Sequence, residues 1–158
     1  MIRNGKGYPD PTQEKALYRN ERRQSSGQAA LKGAMSKAQG AIFERLITTA
    51  CNKYNTEGKA VIEKTPEPMR VIKNMGAGKF LSCFEEKAQP DFKGVMTGGL
   101  MIAFEAKHTD KDLIGQERVN EVQTKKLTQY EQSGAMCFVL VSIKMKRFFM
   151  VPWMVWND

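Results

Sequence analysis

Met101-Ile102-Ala103-Phe104-Glu105-Ala106-Lys107 is the stretch on which the fold turns. Read as a β-strand, it sends Ile102, Phe104 and Ala106 to one face and Ala103, Glu105 and Lys107 to the other. A carboxylate and an amine then project side by side from an otherwise apolar strand. Fourteen residues before Glu105, Asp91 follows Pro90 and precedes Lys93-Gly94, which reads as a turn. A hairpin through Thr97-Gly98-Gly99 brings Asp91 beside Glu105. Two carboxylates so placed can hold one Mg²⁺ together with carbonyl and water oxygens, with Mn²⁺ able to substitute. Lys107 can then orient or deprotonate an attacking water, or neutralise charge developing on a phosphate. The competing reading is a solvated Glu-Lys pair with Asp91 as a turn residue. Glu-x-Lys alone is a weak signal; a preceding Pro-Asp at hairpin distance, on a strand, in a basic chain, makes it more specific.

Phe43, Ile47, Ala50 and Tyr54 recur at helical spacing, with Ile42 and Leu46 widening the stripe. This predicts a helix over 40–54 that stops near Gly58. Ala60-Val61-Ile62 reads as a short strand, broken by Lys64-Thr65-Pro66-Glu67-Pro68. Met69–Ile72 and Phe80–Phe84 flank Asn74-Met75-Gly76-Ala77-Gly78, a hairpin-like excursion over about 66–87 that carries Arg70, Lys73, Lys79 and Lys87. Residues 116–132 are polar and helical in composition. Met136–Ile143 is apolar enough for a buried central strand, and 147–156 supplies a last strand in which Pro152 marks an edge or bend. Helix, strands, helix, strands is the order of a mixed α/β domain.

The 158 residues carry 25 Lys and Arg against 17 Asp and Glu, a formal +8. Residues 1–40 hold eight basic and three acidic side chains, which reads as a basic, loosely held arm with short helical turns, Arg22, Arg23 and Lys37 among its cations. The domain expectation is thus an arm over 1–39 and a globular part over 40–158. Such charge favours a polyanion such as DNA. No apolar run suits a membrane span, and the polar N-terminus does not read as a secretory signal. Three dispersed cysteines form neither a C-x-x-C pair nor a disulfide framework, as expected for a cytoplasmic protein. His108 is the single histidine, which excludes any metal site needing two from one chain. It follows Lys107 and points to the opposite face. Trp153 and Trp156 read as packing residues or a dimer contact.

Pro90-Asp91 with Glu105-Ala106-Lys107 resembles the restriction-endonuclease-like nuclease core, often written PD-(D/E)XK. Further motifs in order sharpen the resemblance toward the RecU-type Holliday junction resolvases of Gram-positive bacteria and their phages. Gly40-Ala41-Ile42-Phe43-Glu44 is similar to the family's opening helix, whose acid lies at the active site. Lys64-Thr65-Pro66-Glu67-Pro68 resembles its Lys-x-Pro-x-Pro stretch, Asp91-Phe92-Lys93-Gly94 its Asp-aromatic-x-Gly, and Phe104-Glu105-Ala106-Lys107 its Phe-Glu-Ala-Lys, while Gln123 falls where the family carries a glutamine. The likeness covers roughly 38–156. It implies a mixed central sheet flanked by helices, with a protruding β-hairpin stalk. It also implies a homodimer that makes paired nicks in four-way DNA junctions. Glu44, Asp91, Glu105, Lys107 and Gln123 would then be catalytic, Asp91 and Glu105 would hold the metal, and Lys64 would join the stalk cations in holding DNA. Pro90 stands where the family usually has Thr, and Gln39 where it often has Arg. The chain is shorter than the cellular members, which points to a phage version acting in a host cytoplasm. Another nuclease of this core, or a basic DNA-binding protein without catalysis, are the alternatives.

Overall fold

Three phenylalanines stacked across adjacent strands fix the centre of the sheet. In the computed structural model, which describes the backbone of residues 11–84 and 89–158 and the side chains of 27–83 and 89–158, β4 (Phe92–Met96) pairs antiparallel with β5 (Met101–Thr109), and β5 pairs parallel with β6 (Met136–Ile143). Phe92 faces Phe104 and Phe104 faces Phe138, with ring centroids 5.0 Å and 4.6 Å apart. Each such pair adds roughly 0.5–1.5 kcal/mol beyond its buried area. β1 (Ala60–Lys64) and β7 (Arg147–Pro152) complete a five-stranded sheet ordered β1-β4-β5-β6-β7.

Helices cover both faces. α1 (Pro11–Thr56) presses Phe43, Ile47 and Cys51 onto the phenylalanine face. Its last turn closes through Gly58, whose φ of 65° costs glycine little. On the other face α2 (Glu121–Gln132) and α3 (Trp153–Trp156) pack Leu127, Trp153 and Trp156 against Ala103, Val139 and Val141. Trp153 Nε1 donates to Thr128 Oγ1 at 3.1 Å. β2 (Met69–Gly76) and β3 (Lys79–Phe84) form a separate two-stranded hairpin, turned at Gly76-Ala77-Gly78 by three positive φ values. Among the described residues no helix is long and apolar enough to cross a membrane.

Three features complete the fold. First, the described backbone from Pro11 onward is one helix. Ala, Gln, Lys, Arg and Glu dominate that stretch, and these residues favour helix strongly enough to absorb Gly27 and Gly33. The chain divides into two compact units, Met1–Ala38 and Gln39–Asp158. Second, Lys93-Gly94 is not a turn but the middle of β4. Gly94 is required by a neighbour instead, since a Cβ there would collide with the Val61 carbonyl and Ile62 Cα of β1. Third, the last strand stops at Pro152, and Trp153–Trp156 form a helical turn that puts both indoles in the core.

Gly94→Ala should therefore push β1 away from β4. We expect a loss of about 1–3 kcal/mol from overpacking, which for a chain of this size lowers Tm by roughly 2–10 °C. Thermal denaturation followed by circular dichroism checks this; an unchanged Tm would contradict the close approach.

Candidate active site

The register that stacks Phe92 on Phe104 sets Asp91 directly opposite Glu105, one residue back on one strand and one forward on the next. Both therefore project from the face opposite the phenylalanines, the face that α2 covers. Asp91 is buried, and its Oδ2 accepts a hydrogen bond from the Ala106 N–H at 3.0 Å. Its carboxyl group lies close enough to that of Glu105 to raise the latter's pKa. Glu105 is 0% exposed.

Two residues hold Glu105 from the other side. Lys107 Nζ donates to Glu105 Oε2 at 3.1 Å, and Gln123 Nε2 donates to the same oxygen at 2.7 Å. Gln123 Oε1 accepts from Lys107 Nζ at 3.3 Å and from the Asn120 N–H at 3.2 Å. Asn120 is the N-cap of α2 and its side chain accepts from the Gln123 N–H, a capping box. The cap thus fixes which end of the Gln123 amide faces Glu105 and which faces Lys107. Through these contacts Gln123 orients the two neighbouring side chains.

Burial is the largest influence on Glu105, and the hydrogen bond and charge of Asp91 add to it; together they push its carboxyl up to about 8, against the opposing pull of Lys107. A carboxyl raised in the folded state holds its proton where the unfolded chain has lost it. Folding stability from this group is therefore greatest below the ordinary carboxylate range and falls as pH rises toward about 8. Replacing Glu105 with Gln removes that penalty and lets an amide donate to Asp91. We expect Glu105→Gln to raise the Tm of the metal-free protein at pH 8 by roughly 2–4 °C for each kcal/mol relieved, with a smaller gain at pH 5. A melting curve at the two pH values tests the sign; a lower Tm at pH 8 would contradict it.

Glu105 Oε1 is buried with no hydrogen-bond partner among the described residues. An unsatisfied carboxylate oxygen beside a second carboxylate is what a divalent cation satisfies. Among the described residues no three His, Cys, Asp or Glu side chains converge on one point. Asp91 and Glu105 are the described residues that could hold such an ion, with its remaining positions left to water and phosphate.

Other candidates sit at varying distance from this pair. Glu44 does not join the cluster directly. It pairs with Lys64, Oε2 to Nζ at 2.6 Å. That hydrogen bond holds the Lys64 ammonium above the usual lysine range, and the charges of Glu44, Glu67 and Asp91 reinforce it. Lys64 is thus tied down beside the site. Arg70, Lys73 and Lys79 lie on the exposed hairpin, with the Arg70 guanidinium 3.9 Å from Cys83 Sγ. Lys37 is exposed on α1. The side chains of Arg22 and Arg23, and Lys87 altogether, lie outside the described residues. His108 is buried on the α1 face with Nδ1 3.1 Å from Ser142 Oγ. Gln39 turns inward too, its amide nitrogen donating to His108 Nε2 at 3.0 Å and to Asp110 at 2.6 Å.

Two positions escaped the sequence reading. Asn120 could have been found, because Asn three residues before Gln at a helix start is a capping signature. Thr65 looked like part of a strand break; it is buried, and its N–H donates to the Asp91 carbonyl at 2.8 Å.

The profile of the family described as RecU, Recombination protein U, matches residues 38–157. The chain belongs to the RecU family. Its relatives within the RecU family include the Holliday junction resolvase RecU of Streptococcus gordonii, 29% identical over 121 residues that make up 72% of this chain and 60% of the relative. The protein of the same name from Streptococcus thermophilus is likewise 29% identical, over 72% of this chain and 61% of its own length. The chain thus spans about 60% of the length of these RecU proteins. Among solved structures it is similar to Archaeoglobus fulgidus Hjc, a Holliday junction resolvase from an archaeal hyperthermophile, with a TM-score of 0.46, 15% identity, and coverage of 73% of this chain and 74% of that one.

Proposed function

We propose that this RecU-family chain is a structure-selective DNA endonuclease that resolves four-way junctions by metal-dependent phosphodiester hydrolysis, working as a homodimer in the cytoplasm, with Mg²⁺ as the ion and Mn²⁺ able to replace it. The observation that carries the reading is the buried Asp91–Glu105 pair with Lys107 at hydrogen-bond distance on one strand face.

Asp91 and Glu105 would hold the ion, which when bound lowers the pKa of a coordinated water and offsets charge on the scissile phosphate. Asp91 is held for this by the Ala106 N–H, and Glu105 by Gln123. Lys107, 3.1 Å from Glu105 Oε2, would be placed to face the attacking water or the developing phosphorane oxygens. The apolar face behind the site, from Ala103 to Val139 and Leu127, keeps bulk water from the carboxylates on one side.

Pairing of two chains is supported by an exposed apolar groove of about 840 Å³ on the α1 face of the sheet, lined by Leu46, Tyr54, Met136, Phe148 and Met150 among others. Ile42, Leu46, Ala50 and Tyr54 form an i, i+4 stripe on α1 that runs beside the buried Phe43–Ile47–Cys51 stripe. Five strands at about 4.8 Å spacing give a face too wide for one helix, which covers about 10 Å. A second copy related by a two-fold axis brings the same stripe and the same groove together. It also presents two active sites to a substrate with two equivalent strands.

A synthetic four-way junction incubated with the protein and Mg²⁺ tests the function. Paired nicks in the junction, with linear duplex cut far more slowly, are expected. Equal cutting of both would remove junction selectivity, and binding without cutting would leave only a basic DNA-binding protein. The hairpin cations should contribute affinity through phosphates. Replacing Arg70, Lys73 and Lys79 together with Ala should lower junction affinity and reduce the log–log salt slope by up to about three. A filter-binding or anisotropy titration across salt concentrations reads this; an unaltered slope would move the contact elsewhere.

A further inference from the structure

The register that sets Asp91 opposite Glu105 extends one strand further. Lys64 pairs with Phe92, so the next residue, Thr65, stands across from Asp91, and its N–H donates to the Asp91 carbonyl at 2.8 Å. Lys64 lies toward α1, where it meets Glu44. Alternation along the strand therefore turns Thr65 to the opposite side, the side of Asp91 and Glu105. Thr65, Asp91 and Glu105 form a row across three strands, three oxygen-bearing side chains in facing register.

Thr65 is 6% exposed, and its Oγ1 is buried with no hydrogen-bond partner among the described residues. A buried hydroxyl left unpaired is costly, and native chains keep few of them. The other unpaired side-chain oxygen in this row is Glu105 Oε1. Two buried oxygens without partners flank one carboxylate, on its two sides. We propose that the Thr65 hydroxyl is a third protein oxygen of the ion site, a neutral lone-pair donor to the divalent cation, added to the carboxylates of Asp91 and Glu105. Such a set, two anionic oxygens and one neutral one, leaves three positions of an octahedral ion for waters and a phosphate. The inference rests on the reading of Asp91 and Glu105 as ion ligands and adds a residue to it.

The test compares the wild type with Thr65→Val, which keeps shape and removes the hydroxyl, and Thr65→Ser, which keeps the oxygen. The Mn²⁺-induced rise in Tm is followed as Mn²⁺ is titrated into each full-length protein. Thr65→Val should melt higher than wild type without the ion, because an unpaired buried hydroxyl becomes a methyl group. It should need about tenfold more Mn²⁺ for the same rise, the scale of losses at groups supporting a metal site, and Thr65→Ser should return to near the wild-type requirement. Junction nicking should follow the same shift in Mn²⁺ requirement and recover at saturating ion. Equal Mn²⁺ response in wild type and Thr65→Val would overturn the role of Thr65 while leaving Asp91 and Glu105 in place. No Mn²⁺ response in the wild type would overturn the ion site itself, and Thr65 with it. Should Thr65→Val melt lower without the ion, the hydroxyl has a partner in the fold and the proposal fails on that reading alone.

Discussion

Asp91→Asn and Glu105→Gln should each reduce junction cleavage by at least about 10³-fold, while junction affinity stays within about threefold of wild type. The first number follows from what an ion contributes, several kcal/mol of charge stabilisation in the transition state, with about 1.4 kcal/mol per decade of rate. The second follows from charge. Each substitution removes a negative group from a protein of formal +8, so the attraction to phosphate is not weakened. Both substitutions should also leave the protein folded, since each relieves the crowding of two carboxyl groups in a buried row. Cleavage by gel and binding by anisotropy, measured on the same preparations, separate the effects. A variant that loses binding as fast as cleavage would make these acids structural; one that cuts normally would remove them from the site.

Lys107→Met is the second large effect expected, about 10²–10³-fold in cleavage, the scale seen when one preorganised charge donor is lost. Its side chain is nearly enclosed and lies on Glu105 Oε2 and Gln123 Oε1. Methionine keeps the packing and removes the ammonium. A second consequence has a definite sign. The Lys107 charge pulls the Glu105 carboxyl down, against burial and Asp91, which raise it. Without Lys107 the proton on Glu105 is held to higher pH, and it competes longer with a metal ion. The residual cleavage should therefore rise with pH over a more alkaline range than in wild type. A profile from pH 6 to pH 10 reads both amplitude and position; a profile reduced in amplitude but unmoved would mean that Lys107 acts on the phosphate alone.

Much of this site was legible because β-strands have period two. Glu105 and Lys107 share a face by spacing alone, and a Gly-Gly turn at the right distance returns Asp91 to Glu105 whatever the remaining sequence does. What spacing could not give was the true role of Gly94. Its composition says turn, but its position under the Val61 carbonyl says close approach, and that is a tertiary fact. The basic segment before Gly40 is rich in Ala, Lys, Arg and Gln, whose summed helix propensity accounts for the helical backbone from Pro11 onward. Glu44 fell on the expected helix, and only the structure reveals that Lys64 occupies its carboxylate. Thr65 was invisible for another reason. It lies in a proline-rich break, where nothing in the local pattern says that it is buried or that its N–H meets the Asp91 carbonyl.

The sharing of one divalent ion by Asp91 and Glu105 is tested most directly by calorimetric titration of Mn²⁺ into the wild type, Asp91→Asn and Glu105→Gln at pH 8. One saturable site per chain in the wild type, weakened beyond detection in both variants, is the expected result. Undiminished Mn²⁺ binding by either variant would show that the ion, wherever it sits, is not held between these two side chains.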